Sequence, residues 1–209
     1  SCEGCGTREE PDRTGGIGAH GGAHGSGREH SGPMQITHFG HSCVLVELEG
    51  TRILFDPGNF SHGFEGLTGL DAVLITHQHP DHCDVARLPN LIGENPQAIR
   101  IADPQTAAQL NSDDVAGEWT AALAGGQVDV GSVTARFTGG RHAVIHPEIP
   151  VVDNVAYVLG TATAPGRFMH PGDSFYIPFE QVDVLALPSA APWMKLSESV
   201  DYLRAMAPR

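Results

Sequence analysis

Hydrophobic and polar positions alternate in short runs that begin at residue 34. Residues 34–40, 43–49 and 51–56 are separated by glycine-containing turns, and this pattern predicts three short strands. Glu49-Gly50, between the second and third runs, is typical of a hairpin turn. Residues 71–76 form an almost continuous apolar run, which predicts a buried strand.

Further along the chain, helix signals are mixed with more strands. Asp103 followed by Pro104 predicts a helix start, because Asp accepts hydrogen bonds from free amides and Pro fits the first turn. In all, the pattern predicts helices over residues 81–88 (ended by Pro89), 104–110 and 197–206 (capped by Ser197). It predicts strands over residues 127–130, 132–138, 151–160, 167–170 and 182–187, the first two forming a hairpin around Gly131. These elements favour an α+β fold in which helices cover a sandwich of sheets.

Residues 1–33 have a different composition from the rest of the 209-residue chain. Glycine and histidine dominate a stretch that has almost nothing to bury and so cannot offset its chain entropy. We therefore predict a disordered N-terminal extension over residues 1–33 and a single domain over residues 34–209. Cys2 and Cys5 form a CxxC pair in this extension, but its glycine-rich surroundings offer no scaffold for a functional zinc site.

The formal net charge is −13, which disfavours partners that need clustered Lys and Arg, such as nucleic acids and anionic membranes. A small-molecule substrate is expected, and it can be anionic because a bound cation can dominate the local field. The four cysteines do not suggest a disulfide framework, and neither an export signal nor a membrane-spanning run is evident. A cytoplasmic protein is the resulting expectation.

The strongest chemical signal is the run Thr-His-Gln-His-Pro-Asp-His at residues 76–82. His77 and His79 follow the end of a predicted strand and can aim two imidazoles at one point. Asp81 and His82 can supply a carboxylate and a third imidazole to a second cation. This ligand mixture suits Zn²⁺, and also manganese or iron.

Distant residues can complete a two-cation site. His142 follows a predicted strand and is favoured over His146 as the third nitrogen for the first cation. Asp173, beside a turn glycine, could bridge the two cations. His41 lies in a glycine turn, where it either faces the site or is satisfied by backbone. Trp193 and Lys195 either contact an organic anion or form ordinary packing and surface positions.

Taken together, these motifs resemble the metallo-β-lactamase superfamily over residues 34–209. The opening at residues 36–43 resembles the branch that includes ascorbate-6-phosphate lactonase-like proteins. The resemblance implies an αββα sandwich, with Asp56 orienting the histidine loop and with Asp81 and Asp173 serving as catalytic residues. It implies one cation on His77, His79 and His142, and a second on Asp81 and His82, with Asp173 bridging.

The resemblance also implies one more histidine for the second cation, supplied after a strand that follows the last helix. The chain ends at Arg209, so we expect a sandwich that lacks its C-terminal portion and holds the second cation weakly. The expected function is a metal-dependent hydrolase that uses a metal-bound hydroxide on an ester, lactone or phosphodiester. The alternative is a metal-binding protein of the same fold with little or no turnover.

Overall fold

A computed structural model of the chain describes residues 33–209. The predicted disordered extension and the Cys2–Cys5 pair therefore fall outside the described residues, apart from residue 33. No helix within residues 33–209 is long and apolar enough to cross a membrane.

The first sheet is mixed and is built by the N-terminal half of the described chain. Its strands are paired in the order β1-β2-β3-β4-β5-β6. β1 to β3 pair antiparallel, whereas β3 to β6 pair parallel. The strands are β1 (Met34–His38), β2 (Val44–Leu48), β3 (Thr51–Phe55), β4 (Ala72–Ile75), β5 (Ile99–Ala102) and β6 (Thr120–Ala121).

The second sheet is built by the C-terminal half and has the order β11-β10-β9-β8-β7. Its pairs are antiparallel except for the short parallel pair of β10 with β11. The strands are β7 (Gln127–Val130), β8 (Val133–Gly139), β9 (Val155–Gly160), β10 (Phe168–His170) and β11 (Val184–Leu185).

Three helices accompany the sheets: α1 (Leu88–Glu94), α2 (Pro104–Ser112) and α3 (Leu196–Met206). α1 lies between β4 and β5, and α2 lies between β5 and β6. Parallel neighbours need such crossover connections, since a tight turn can join only antiparallel strands.

Three apolar clusters show how the layers stack. Phe55 and Leu74 of the first sheet pack with Tyr157 and Phe168 of the second, forming the core between the sheets. Leu54 points to the opposite face because side chains alternate along a strand, and there it packs in the cluster that contains α1 and α2. Tyr202 and Met206 of α3 pack on the outer face of the second sheet. The four-layer α+β sandwich is thereby confirmed.

Several predicted boundaries were wrong. Residues 81–87 form turns rather than a helix, and α1 begins at Leu88. Pro89 therefore starts this helix instead of ending it, because proline fits a first turn whose N–H has no intrahelical partner. Lys195, not Ser197, caps α3, and Glu198 accepts a hydrogen bond from the Lys195 backbone N–H at 2.7 Å.

Candidate metal centre

Three imidazoles converge at the carboxyl end of β4. The buried Thr76 continues this strand into His77, which is also fully buried. The ring centroids of His77, His79 and His142 are mutually 4.7–4.8 Å apart, and their donor atoms lie within 4.8 Å of one another. This near-equilateral arrangement is suited to three nitrogens that share one cation. We call it the first group.

His142 reaches the first group from the loop that follows β8. Its backbone N–H donates to Val152 O at 3.1 Å, and its Nδ1 lies 2.6 Å from Ala143 O. With the proton on Nδ1, Nε2 is left to face the other two imidazoles. His146, the rival in the sequence, is exposed and lies outside the groups of candidate ligands in residues 33–209.

A second group consists of His41, Asp81 and His82, whose donor atoms also lie within 4.8 Å of one another. Asp173 stands between the two groups. Its Oδ1 is 3.2 Å from His82 Nε2, and its Oδ2 is 3.4 Å from His142 Nε2. The two oxygens of one carboxylate thus face one nitrogen from each group, which is the placement expected of a bridging ligand.

Asp56 fixes the ring of His82 from behind. Its Oδ2 lies 2.7 Å from His82 Nδ1 and accepts a hydrogen bond from Thr76 Oγ1 at 2.7 Å. Its Oδ1 accepts from the Thr76 backbone N–H, also at 2.7 Å. A carboxylate that holds one imidazole nitrogen selects the tautomer whose other nitrogen faces the metal. Asp56 itself is fully buried and lies outside the candidate ligand groups of the described chain, as the resemblance implies.

The donor set fits cations because its buried nitrogens are otherwise unsatisfied. Within residues 33–209, the Nε2 atoms of His77, His82 and His142 are buried without a well-aligned hydrogen-bond partner. Buried polar atoms rarely remain unpaired, since desolvation is costly. Three such atoms around one carboxylate indicate that the site is built to bind a positively charged ligand.

The electrostatics of the site favour the same conclusion. Burial lowers the pKa of His77 and of His79, so both imidazoles are neutral at pH 7, the form that ligates a metal. Burial disfavours charged His82, but Asp56 and Asp173 outweigh it and raise the pKa to about 10, so a metal would have to displace a proton from this imidazole in order to bind it. Burial raises the pKa of Asp173, but contacts with the His142 and His82 imidazoles outweigh it and hold the pKa far below its usual range.

Two glycines allow close backbone approaches around the ligands. A Cβ on Gly58 would lie 1.8 Å from the Asp81 carbonyl oxygen, so only glycine fits against this loop. Gly172, directly before Asp173, has φ +60°, and a Cβ there would lie 2.2 Å from Asn154 Oδ1. That amide oxygen accepts a hydrogen bond from the Asp173 backbone N–H at 3.0 Å. The short turn thereby holds the carboxylate in place.

Trp193 forms part of the wall beside Asp173. Its indole N–H donates to Asp173 Oδ2 at 2.7 Å, and its ring packs 4.9 Å from that of Phe175. The sequence indicated a loop near the site but gave no signal for this bond. Lys195, in contrast, is exposed and serves as the N-cap of α3.

Two further residues have structural positions. His170 lies on β10, where its Nε2 is 2.9 Å from Ser42 O and its ring stacks on Phe55. It is thus a sheet histidine, as its sequence position predicted. Cys83 is buried, and burial with the nearby Asp56 charge raises the pKa of its thiol to about 12. It is therefore protonated at neutral pH and is not an activated nucleophile.

The chain belongs to the β-lactamase superfamily domain family, whose model matches residues 35–209. It is 61% identical over 175 residues to Protein Rv0786c of Mycobacterium tuberculosis, covering 84% of this chain and 80% of that protein. It is 32% identical over 149 residues to a UPF0173 metal-dependent hydrolase of Rhizobium etli, covering 67% of this chain and 59% of that protein.

The fold is also found in solved structures. One is Igni18, a metallo hydrolase of the archaeon Ignicoccus hospitalis, with a TM-score of 0.61 and 21% sequence identity. The match covers 84% of this chain and 79% of Igni18. The metallo-β-lactamase fold that the sequence resemblance implied is thereby confirmed.

Proposed function

We propose that this chain is a metal-dependent hydrolase that acts on an ester, lactone or phosphodiester bond of a small molecule. The observation that carries the proposal is the convergence of two ligand groups on the single carboxylate of Asp173. Relatives named metal-dependent hydrolases support it. A lactone is included because residues 36–43 resemble the ascorbate-6-phosphate lactonase-like branch.

In this proposal His77, His79 and His142 hold the first cation, Asp81 and His82 contribute to the second, and Asp173 bridges them. Zn²⁺ is the proposed metal, and manganese and iron also accept imidazole and carboxylate ligands. When bound, a pair of such cations activates water at neutral pH and stabilises negative charge on the oxygens of the reacting group.

The protein's own residues orient this chemistry. Asp56 holds the His82 ring, and Trp193 and the Asn154 amide hold Asp173. Asp81 and Asp173 are the proposed catalytic carboxylates, because their side chains are partly exposed, by 28% and 18%, whereas that of His82 is almost fully buried. A water or a substrate can therefore reach both carboxylates. Asp81 Oδ2 also lies 2.9 Å from His41 Nε2.

An anionic small molecule is the proposed substrate class, since cations at the site attract it although the net charge of the chain is −13. The same net charge disfavours nucleic acid and anionic membrane as partners. A cytoplasmic location stays a prediction from cysteine usage, and the two described cysteines, Cys43 and Cys83, are free thiols.

The test is metal content after mild purification, together with turnover of bis(p-nitrophenyl) phosphate and of a simple lactone. We expect transition metal to copurify, and His79→Ala to lose both metal and turnover. His146→Ala is the matched control, because it removes an exposed histidine of the same region. A protein without transition metal, or a His79→Ala variant of unchanged activity, would refute the proposal. Full metal loading without turnover would favour the alternative, a metal-binding protein of this fold.

A further inference from the structure

The turn between β1 and β2 places His41 at the second group. Gly40 has φ +93° and His41 has φ +48°, a left-handed conformation that is unfavourable for a residue with a side chain. Such a backbone conformation persists where the surroundings enforce it. In this turn the strained backbone points the His41 imidazole towards Asp81.

The turn is fixed from both sides. His38 Nε2 lies 2.7 Å from His41 O, and the Cys43 backbone N–H donates to Gly40 O at 3.1 Å. Ser61 Oγ also donates to Gly40 O, at 2.8 Å. His170 Nε2 lies 2.9 Å from Ser42 O and ties the turn to the second sheet. The position of His41 is therefore set by tertiary contacts as well as by its local sequence.

Two donor atoms of this group have the spacing of ligands that share an ion, and the third, His82 Nε2, lies 3.9 Å from Asp81 Oδ2. His41 Nε2 and Asp81 Oδ2 are 2.9 Å apart. Two ligands at about 2.0–2.1 Å from one cation are separated by roughly 2.9–3.4 Å, depending on the coordination angle. The ring of His82 is 5.3 Å from that of His41, and Asp56 occupies its Nδ1, so that its Nε2 is the nitrogen free to ligate.

We propose that His41 is a ligand of the second cation, together with Asp81 and His82. This rests on the proposed function in so far as the second cation is part of that site. Two imidazoles and one carboxylate are a ligand set found in catalytic zinc sites. Asp173 Oδ1, 3.2 Å from His82 Nε2, would be the bridge to the first group.

The assignment changes the composition of the second site. Asp81 and His82 are neighbours in the loop after β4, whereas His41 lies 40 residues earlier, in the turn between β1 and β2. The imidazole of His41 is 30% exposed. A purely positioning role, in which the His41 N–H only orients Asp81, is the competing interpretation.

Zinc titration of the metal-depleted 209-residue chain by isothermal calorimetry distinguishes the ligand role of His41 from the positioning role. We expect the wild type to bind two zinc ions. In His41→Ala the second ion should bind more weakly by roughly 100-fold or more, because loss of a residue that only orients a ligand already costs about 10–100-fold. His41→Gln keeps a hydrogen-bond donor for Asp81 but is a poor zinc ligand, and it should behave like His41→Ala. His62→Ala, which removes an exposed histidine nearby, should keep both ions.

Wild-type affinity for the second ion in His41→Ala or His41→Gln would overturn the assignment. A wild type that binds one zinc, lost in His79→Ala but not in His41→Ala, would also overturn it while leaving the first group intact. Binding of no zinc by the wild type would overturn both this assignment and the proposed function. Far-ultraviolet circular dichroism of each metal-depleted variant confirms that the comparison is made between folded proteins.

Discussion

The close approach of Gly58 to the ligand loop gives the sharpest test of the structure. An added Cβ would lie 1.8 Å from Asp81 O, 2.0 Å from Asp81 C and 2.5 Å from His82 N. Ordinary contacts begin at 3.4 Å, so the loop must retreat by roughly 1.5 Å. The atoms that would collide are backbone and cannot rotate away. Overpacking typically costs about 1–3 kcal/mol, and we expect Gly58→Ala to lie near the upper end.

The same displacement should lower the affinity for the second cation more than the affinity for the first. Asp81 and His82 belong to the shifted backbone, whereas His77 and His142 do not. Displacing a ligand by about 1 Å can reduce function on the order of 100-fold. The assays are urea unfolding of the metal-depleted protein and zinc titration. Gly66→Ala is the matched control, because a Cβ there has nothing within 4 Å. Equal urea midpoints and equal zinc affinities for Gly58→Ala and Gly66→Ala would contradict the predicted clash at residue 58.

Three further variants test the supporting contacts. Asp56→Asn should lower the unfolding free energy by about 3–5 kcal/mol, because it breaks a buried ion pair with His82. Urea unfolding measures this loss, with Asp71→Asn as the control at an exposed aspartate. A loss below about 1 kcal/mol would contradict the prediction. Burial raises the pKa of Asp103 from 3.8 to about 6, so the folded state binds the proton more tightly and stability falls as pH rises from 4 to 6. Asp103→Asn keeps the helix cap. Its free energy of unfolding should exceed that of the wild type by about 2–3 kcal/mol at pH 8 but by little at pH 4. A gain that does not depend on pH would contradict the predicted fall in stability. Trp193→Phe should abolish the change in tryptophan emission on zinc binding, whereas Trp119→Phe should retain it; the reverse result would place Trp193 away from the site.

Much of the fold could be predicted because local patterns were strong. The hairpins at Glu49-Gly50 and Gly131 and the Asp103 cap have chemistry that short-range rules describe, and they occur as predicted. β5 and β6 were missed. β6 has only two residues, both exposed, and its conformation depends on pairing with β5 rather than on its own pattern.

The failed helix at residues 81–88 has a physical cause in the site itself. The Asn59 backbone N–H donates to Pro80 O at 2.8 Å, and Asp84 N–H donates to Pro57 O at 3.1 Å. These bonds to the loop after β3 replace the intrahelical bonds that the sequence pattern suggested. The chain beyond His82 is therefore held as turns until Leu88.

The chemical groups available for a metal centre follow from the amino-acid sequence alone. His77, His79, Asp81 and His82 are close in the chain, so a single turn after a strand suffices to gather them. Their spacing alone predicts a cation site.

The sequence named His142 and Asp173 as candidates, and the fold shows how the distant residues meet this turn. His41, His142, Asp173 and Trp193 come from separate turns, and the pairing of strands in two stacked sheets brings those turns to one edge. Sequence spacing cannot specify such meetings, because they depend on sheet order, register and the packing of one sheet on the other. The proposed ligands of the first cation were therefore all named from the sequence and its family resemblance, whereas the contact of His41 with Asp81 is seen only in the fold.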